Sequence, residues 1–230
     1  MKDFKKFEKC IGVKFSDKDL LTQSVVHRSY LNEHRDFPIA HNERLEFLGD
    51  AVLEIIVTER LYRDYPNPEG ELTNWRAALV NANLLSEIAK EIELDNYLFL
   101  SKGESKDNQS KARQYILADA FEALIGAIYL DRGLATTKKF IERFVLSKLP
   151  NILQNQLYLD PKSRFQECAQ EKLGITPHYK IIKEEGPDHA KHFTVGIYLH
   201  DELIASGLGT SKQEAQVEAA TVALKLKHWN

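Results

Sequence analysis

Glu43, Glu46 and Asp50 stand at i, i+3 and i+7 within the run His41-Asn42-Glu43-Arg44-Leu45-Glu46-Phe47-Leu48-Gly49-Asp50. On a helix that spacing stacks three carboxylates along one face, where like charges repel unless a cation or solvent separates them. A second apolar run, from Tyr115 to Leu130, carries Asp119 and Glu122 as its only charges, one turn apart. Ionised carboxylates are costly to bury without a partner. Two acidic sets on two apolar helices therefore predict one shared site for a hard divalent cation. No histidine accompanies them on either helix, and an all-carboxylate set favours magnesium or manganese over zinc. Such a site serves phosphoryl chemistry, where the cation activates water and neutralises charge on the phosphate and the leaving oxygen. Spacing alone leaves two other readings open. The first set could be a solvated acidic face, and Asp119 and Glu122 could be structural carboxylates bonded to arginines such as Arg44 or Arg76. Gly49 opposes the former, because a glycine inside a helix costs about 1 kcal/mol relative to alanine. Its presence predicts close packing, here against the helix of Asp119.

The elements that must hold these residues can be read from the apolar periodicity. From Phe4 to about Pro150 the pattern is helical almost throughout, with Leu20, Leu21, Val25 and Val26 on one amphipathic stretch. Asn42 is placed to cap the helix that carries the first acidic set, which runs to about Tyr65. Pro66-Asn67-Pro68-Glu69-Gly70 reads as a stop and turn, and helices are expected again over Leu72–Ala82 and Leu84–Ile92. The polar stretch Ser101 to Ser110 reads as an exposed loop. Beyond Pro161 the character changes. Ser163–Leu173 reads as a short helix with Phe165, Ala169 and Leu173 on one stripe. Phe193, Val195, Ile197 and Leu199 alternate with Thr194, Gly196 and Tyr198, the period of a strand buried on one face. Tyr179–Lys183 and Glu202–Leu208 are expected as flanking strands, and Ser211-Lys212-Gln213-Glu214 as a capping box that opens a last helix through Lys227. The order α-β-β-β-α makes a small α+β unit. The expected division is a helical domain over 1–150, a linker over 151–160 and the α+β domain over 161–229.

Composition bounds the remaining classes. The chain has 230 residues and a formal net charge of −3, so no global basicity announces a nucleic-acid partner and any such surface must be local. Its two cysteines, Cys10 and Cys168, are too few for a disulfide framework or a zinc site. The start lacks the apolar core of a signal peptide, and no apolar run reaches the roughly 18 residues needed to cross a bilayer. A cytoplasmic protein with no membrane partner is expected.

The run Asn42-Glu43-Arg44-Leu45-Glu46-Phe47-Leu48-Gly49-Asp50-Ala51-Val52-Leu53 resembles the signature of bacterial ribonuclease III. Ile116-Leu117-Ala118-Asp119-Ala120-Phe121-Glu122-Ala123-Leu124-Ile125-Gly126 resembles that family's second acidic motif, and Glu69-Gly70-Glu71-Leu72-Thr73 and Arg76-Ala77-Ala78-Leu79-Val80 match between them. The family commonly ends in a double-stranded-RNA-binding domain of the α-β-β-β-α order, so the resemblance covers nearly the whole chain. It implies an all-α ribonuclease III catalytic domain followed by that α+β domain. The activity implied is magnesium-dependent hydrolysis of double-stranded RNA, with manganese as a substitute, by a homodimer that leaves 5′-phosphate and 3′-hydroxyl ends. Processing of ribosomal-RNA precursors and other structured transcripts is the implied role. Glu46, Asp50, Asp119 and Glu122 match the catalytic, metal-binding carboxylates, with Asp50 and Glu122 positioning the metal and the attacking water. Glu43 and Glu69 match acidic positions that support the site or a further metal. Phe47 matches an aromatic residue of the dimer interface, while core burial is its plain alternative. His27 also fits the family and is read as structural. Gln166, Glu167, His189 and Lys212 match RNA contacts in the second domain.

Two departures from the family pattern stand out. A loop that often contains glycine and arginine reads here Asp107-Asn108-Gln109-Ser110-Lys111-Ala112-Arg113. Gln213 and Glu214 stand where basic residues are common, and residues 161–230 hold nine Lys/Arg against nine Asp/Glu. Shape and 2′-hydroxyl contacts are therefore expected to carry more of the RNA binding than charge.

Overall fold

Two helices form the centre of the first unit, because each is apolar where it meets the other. The computed structural model describes residues 2–106, 110–187 and 191–229, and its contacts divide the chain into Met1–Leu153 and Gln154–Asn230. The first unit is helical: α1 Lys5–Ile11, α2 Lys18–Ser24, α3 Arg28–Glu33, α4 Glu43–Asp64, α5 Glu69–Val80, α6 Ala82–Glu91 and α7 Lys111–Phe144, followed by α8 Leu149–Gln154. The turn expected at 66–70 is shorter than its composition suggests, since Glu69 and Gly70 already belong to α5. Side chains cap several starts. Asp17 accepts from the Asp19 and Leu20 amides, Asn81 from Leu84, and Ser110 from Arg113, each satisfying donors that a helix leaves open.

Asn42 precedes α4 as expected, but its side chain does not cap it. Its backbone amide is held by the Val26 carbonyl at 2.9 Å, and its side-chain amide donates to the Ser24 carbonyl at 3.4 Å. That tertiary tie turns the side chain away from the open amides of α4.

The glycine argument holds on both helices. A Cβ built on Gly49 of α4 would lie 1.8 Å from the Glu122 carbonyl oxygen of α7, and one on Gly126 would lie 2.2 Å from the Leu45 carbonyl oxygen of α4. The backbones touch, and nothing larger fits. Around this contact Leu53, Val57, Leu117, Phe121, Leu124 and Ile128 are fully buried.

α7 is not straight. Phe121 and Phe140 are nineteen positions apart, about 28 Å along an ideal helix, yet their ring centroids lie 5.7 Å apart. The reversal is at Gly133, whose φ of 73° and ψ of 173° are non-helical and cost least at a residue without Cβ. Two residues earlier, the Asp131 carboxylate accepts the backbone amides of Ser16 and Asp17, both at 2.9 Å.

The second unit has the expected order: α9 Pro161–Leu173, β1 His178–Glu185, β2 His192–Leu199, β3 Glu202–Gly209 and α10 Lys212–Lys227. The sheet is antiparallel in the order β1-β2-β3. Phe165 and Ala169 of α9 and Ala219, Ala220, Ala223 and Leu224 of α10 pack on Ile197, Leu199 and Ala205 of one sheet face. Leu173 leaves the expected stripe and is 49% exposed. The helix ends there on left-handed Gly174, and Ile175 packs on the core in its place. The capping box forms with a shift. The Ser211 hydroxyl accepts from the Glu214 amide at 3.1 Å, but the Glu214 carboxylate reaches back to the amide of Thr210 at 2.9 Å. Within the segment expected as a linker, Ile152 is buried in α8, and buried Arg164 donates to the Asn155 carbonyl at 2.8 Å.

No described helix is long and apolar enough to cross a membrane.

Candidate active site and RNA-binding surface

The glycine contact between α4 and α7 sets the spacing of the acidic residues. Glu46 lies one turn before Gly49 on α4, and Glu122 supplies the carbonyl against which Gly49 packs. Glu46, Asp119 and Glu122 each offer a carboxylate oxygen, and these oxygens lie within 4.8 Å of one another. All three side chains are half-buried. Burial pushes the Glu122 carboxyl up to about 8, helped by the charges of Asp50, Asp119, Glu46 and Glu54. Burial and the charges of Asp119, Glu43 and Asp50 push Glu46 up to about 7, and burial alone raises Asp119. Each cause penalises the ionised form.

Arginine pairing does not relieve this cluster. Among the described residues, Arg76 donates to Thr58 Oγ1 at 3.1 Å, and the three carboxylates have no ion pair with it or with Arg44. The reading of Asp119 and Glu122 as arginine-bonded structural carboxylates therefore fails. The reading of the first set as a solvated acidic face fits Glu43 and Asp50, which are exposed, but not half-buried Glu46. Close carboxylates that are half-buried and unpaired fit a hard divalent cation in both charge and donor type.

The remaining acids stand apart from this trio. Asp50, one turn after Glu46, is exposed and acts on both Glu46 and Glu122 through its charge. Glu43 is held by Arg28 at 3.4 Å and lies 3.8 Å from His41 Nδ1. Glu69 accepts from Thr73 Oγ1 at 3.0 Å within its own helix. Glu54, one turn beyond Asp50, also bears on Glu122. The i+4 spacing from Asp50 was the signal that could have singled it out. His27 is structural as expected: its ring accepts the Ser29 amide at the start of α3, and its Nδ1 lies 2.8 Å from the Ser29 hydroxyl. Phe47 is 81% exposed, which excludes the core-burial alternative. Gln166 and Glu167 are exposed on α9, and Lys212 opens α10. His189 and the loop positions 107–109 lie outside the described residues.

Comparison with known proteins finds a family match in each part of the chain. The family described as Ribonuclease-III-like matches residues 17–149, and the double-stranded RNA binding motif matches residues 161–227. Ribonuclease 3 of Nitratiruptor sp. is 42% identical over 98% of this chain and 97% of its own, and Ribonuclease 3 of Enterococcus faecalis is 45% identical over 93% of each. The chain belongs to the ribonuclease III family. A solved structure of the nuclease domain of ribonuclease III from Campylobacter jejuni superposes with a TM-score of 0.56 at 35% identity, covering 64% of this chain and 99% of that one. As a member of this family, the protein is a metal-dependent endoribonuclease specific for double-stranded RNA, and the family's standard role is ribosomal-RNA processing.

Proposed function

We propose that Glu46, Asp119 and Glu122, with Asp50 beside them, hold magnesium, for which manganese substitutes, and that this site hydrolyses both strands of duplex RNA. The observation that carries the reading is the unpaired acidic trio within 4.8 Å. When bound, a divalent cation supplies charge neutralisation for the phosphate and makes water a stronger acid. Asp50 and Glu122 orient the attacking water in line with the scissile phosphodiester, which leaves a 5′-phosphate and a 3′-hydroxyl. Glu46 and Asp119 complete the ligand set, and Glu43 and Glu69 are supporting acids at its margin. The Gly49–Gly126 contact fixes the separation of the two acid-bearing helices.

One catalytic unit carries one such cluster, and cutting two strands takes two. A homodimer supplies the second through an isologous interface, with exposed Phe47 at its centre. Support comes from its 81% exposure, since a large aromatic is favoured at interface cores, and from the C. jejuni nuclease domain, whose description names a region involved in dimer formation. In the second unit Gln166, Glu167 and His189 read the minor groove and its 2′-hydroxyls, while Lys212 meets phosphate beside the open amides of α10. We place the enzyme in the cytoplasm, processing ribosomal-RNA precursors and other structured transcripts.

The test is incubation with long duplex RNA under a magnesium titration, with product ends resolved on a gel. Wild type should give 5′-phosphate ends, and Glu122→Gln should bind RNA without cutting it. Full cleavage by that variant at saturating magnesium removes Glu122 from the site.

A further inference from the structure

Lys212 is not a free cation. Its Nζ lies 3.5 Å from Glu184 Oε1 and 5.6 Å from the ring centroid of Phe193. The placement of Glu184 follows from a one-residue irregularity in β1. Tyr179 pairs with Ile197 and Ile181 with Val195, and those β2 partners face the helices. Simple alternation would next bring Lys183 opposite Phe193 on that same face. Instead the register shifts between Ile181 and Lys183, so Lys183 pairs with Thr194 and Glu184 pairs with Phe193. Residues directly opposite in an antiparallel pair share a face. The bulge therefore exchanges a lysine for a glutamate at the sheet edge beneath the start of α10. Glu214, in the first turn of α10, is occupied in the cap through Thr210, at 2.9 Å to the amide and 2.6 Å to the hydroxyl.

We propose that Glu184 is an affinity- and specificity-determining residue for duplex RNA, its carboxylate competing with a backbone phosphate for Lys212. The inference rests on the reading of Lys212 as a phosphate contact. Both partners of the pair are partly exposed, and such pairs are weak enough to exchange for a stronger anion. A polyanion must displace Glu184 and tolerate its charge nearby. Ligands held by phosphate contacts alone lose a large share of their binding. Duplex RNA keeps its 2′-hydroxyl contacts, which Glu184 does not touch.

The test is binding of a labelled 20-base-pair RNA duplex to the full-length protein, with EDTA to prevent cleavage, across a salt series. Glu184→Gln should bind roughly 3- to 10-fold more tightly at low salt, with a slope steeper by about one counterion. Glu202→Gln, the same charge change at the start of β3, should leave both unchanged. In a Lys212→Ala background, Glu184→Gln should shift affinity by less than about 2-fold. An unchanged or weaker Glu184→Gln, or an equal gain with Lys212 absent, overturns the competition. Lys212→Ala binding as wild type overturns the phosphate contact instead, and the inference with it.

Discussion

Gly49→Ala isolates the contact on which the site depends. In an open helix interior the change stabilises by about 1 kcal/mol. Here the added Cβ would lie 1.8 Å from the Glu122 carbonyl oxygen and 2.9 Å from the Gly126 amide nitrogen, and contacts below 3.0 Å are essentially never tolerated. The obstacle is backbone, so no rotamer relieves it. The two helices must part by a distance on the order of 1 Å, with overpacking at the upper end of the usual range, about 3 kcal/mol, and up to about 2 kcal/mol of packing lost around it. A net destabilisation of about 2–4 kcal/mol is expected once the helical gain is subtracted. For a unit of about 150 residues the unfolding entropy is about 0.3 kcal/mol/K, so the midpoint should fall by about 7–13 °C. The struck atom belongs to Glu122, and a ligand displaced by about 1 Å should cost about 100-fold in cleavage. Thermal unfolding by circular dichroism and a duplex-cleavage assay read the two effects. Gly70→Ala is the control, because a Cβ there meets nothing within 4 Å. A Gly49→Ala protein that melts at or above wild type and cuts at the normal rate refutes the reasoning.

Three further outcomes are expected. With no cation bound, burial pushes the Glu122 carboxyl up to about 8, against 4.5 for the ordinary group. The folded state thus holds the extra proton between these values, and its stability falls as pH rises through that window. Glu122→Gln should remove that loss, worth on the order of 1–3 kcal/mol after allowing for solvent screening. It should therefore outlast wild type in urea at pH 8.5 by more than at pH 5, and an equal difference at both pH values contradicts the linkage. Phe47→Ala should change the stability of the fold by less than about 0.5 kcal/mol, since the ring is exposed, while shifting sedimentation toward monomer. An unaltered dimer would place the interface elsewhere. Removing everything after Asp160 should leave a folded nuclease that still cuts at low salt but loses most activity at physiological salt. Equal rates for both forms at physiological salt would show that the second unit supplies no affinity.

Much of this architecture was legible because helix faces and strand alternation are local patterns. The i, i+3, i+7 acids defined a face of α4, and Gly49 announced a close approach to the helix of Asp119. The features that escaped depend on partners far along the chain. Asn42 has the composition of a cap, yet the Val26 and Ser24 carbonyls hold it. Gly133 has no flanking proline to mark it, and its reversal exists because Phe140 finds Phe121. Leu173 fits the α9 stripe by spacing, but the chain turns at Gly174 and buries Ile175 instead. The bulge in β1 is a compromise between strand register and helix packing that alternation cannot encode, so Glu184 could not be assigned its partner. Among the acids, composition gave equal standing to Glu43 and Glu46. The fold separates them: Glu46 is half-buried beside Asp119 and Glu122, whereas Glu43 is exposed and pairs with Arg28.

The reversal at Gly133 also bears on the order in which the chain assembles. Phe121 and Phe140 close a loop of 19 residues, whereas Glu46 and Glu122 are 76 apart. Loop entropy rises with the logarithm of length, so the longer closure costs about 1.2 kcal/mol more before any contact rewards it. The doubled α7 can form as a local hairpin while α4 is still searching, in keeping with the general advantage of short-range contacts. Pulse-labelled hydrogen exchange should then show α7 amides protected before those of α4. The acids of α4 and those of α7 repel one another only when α4 docks. On this order their mutual repulsion arises last, against an apolar scaffold already in place, and leaves the early steps of folding untouched.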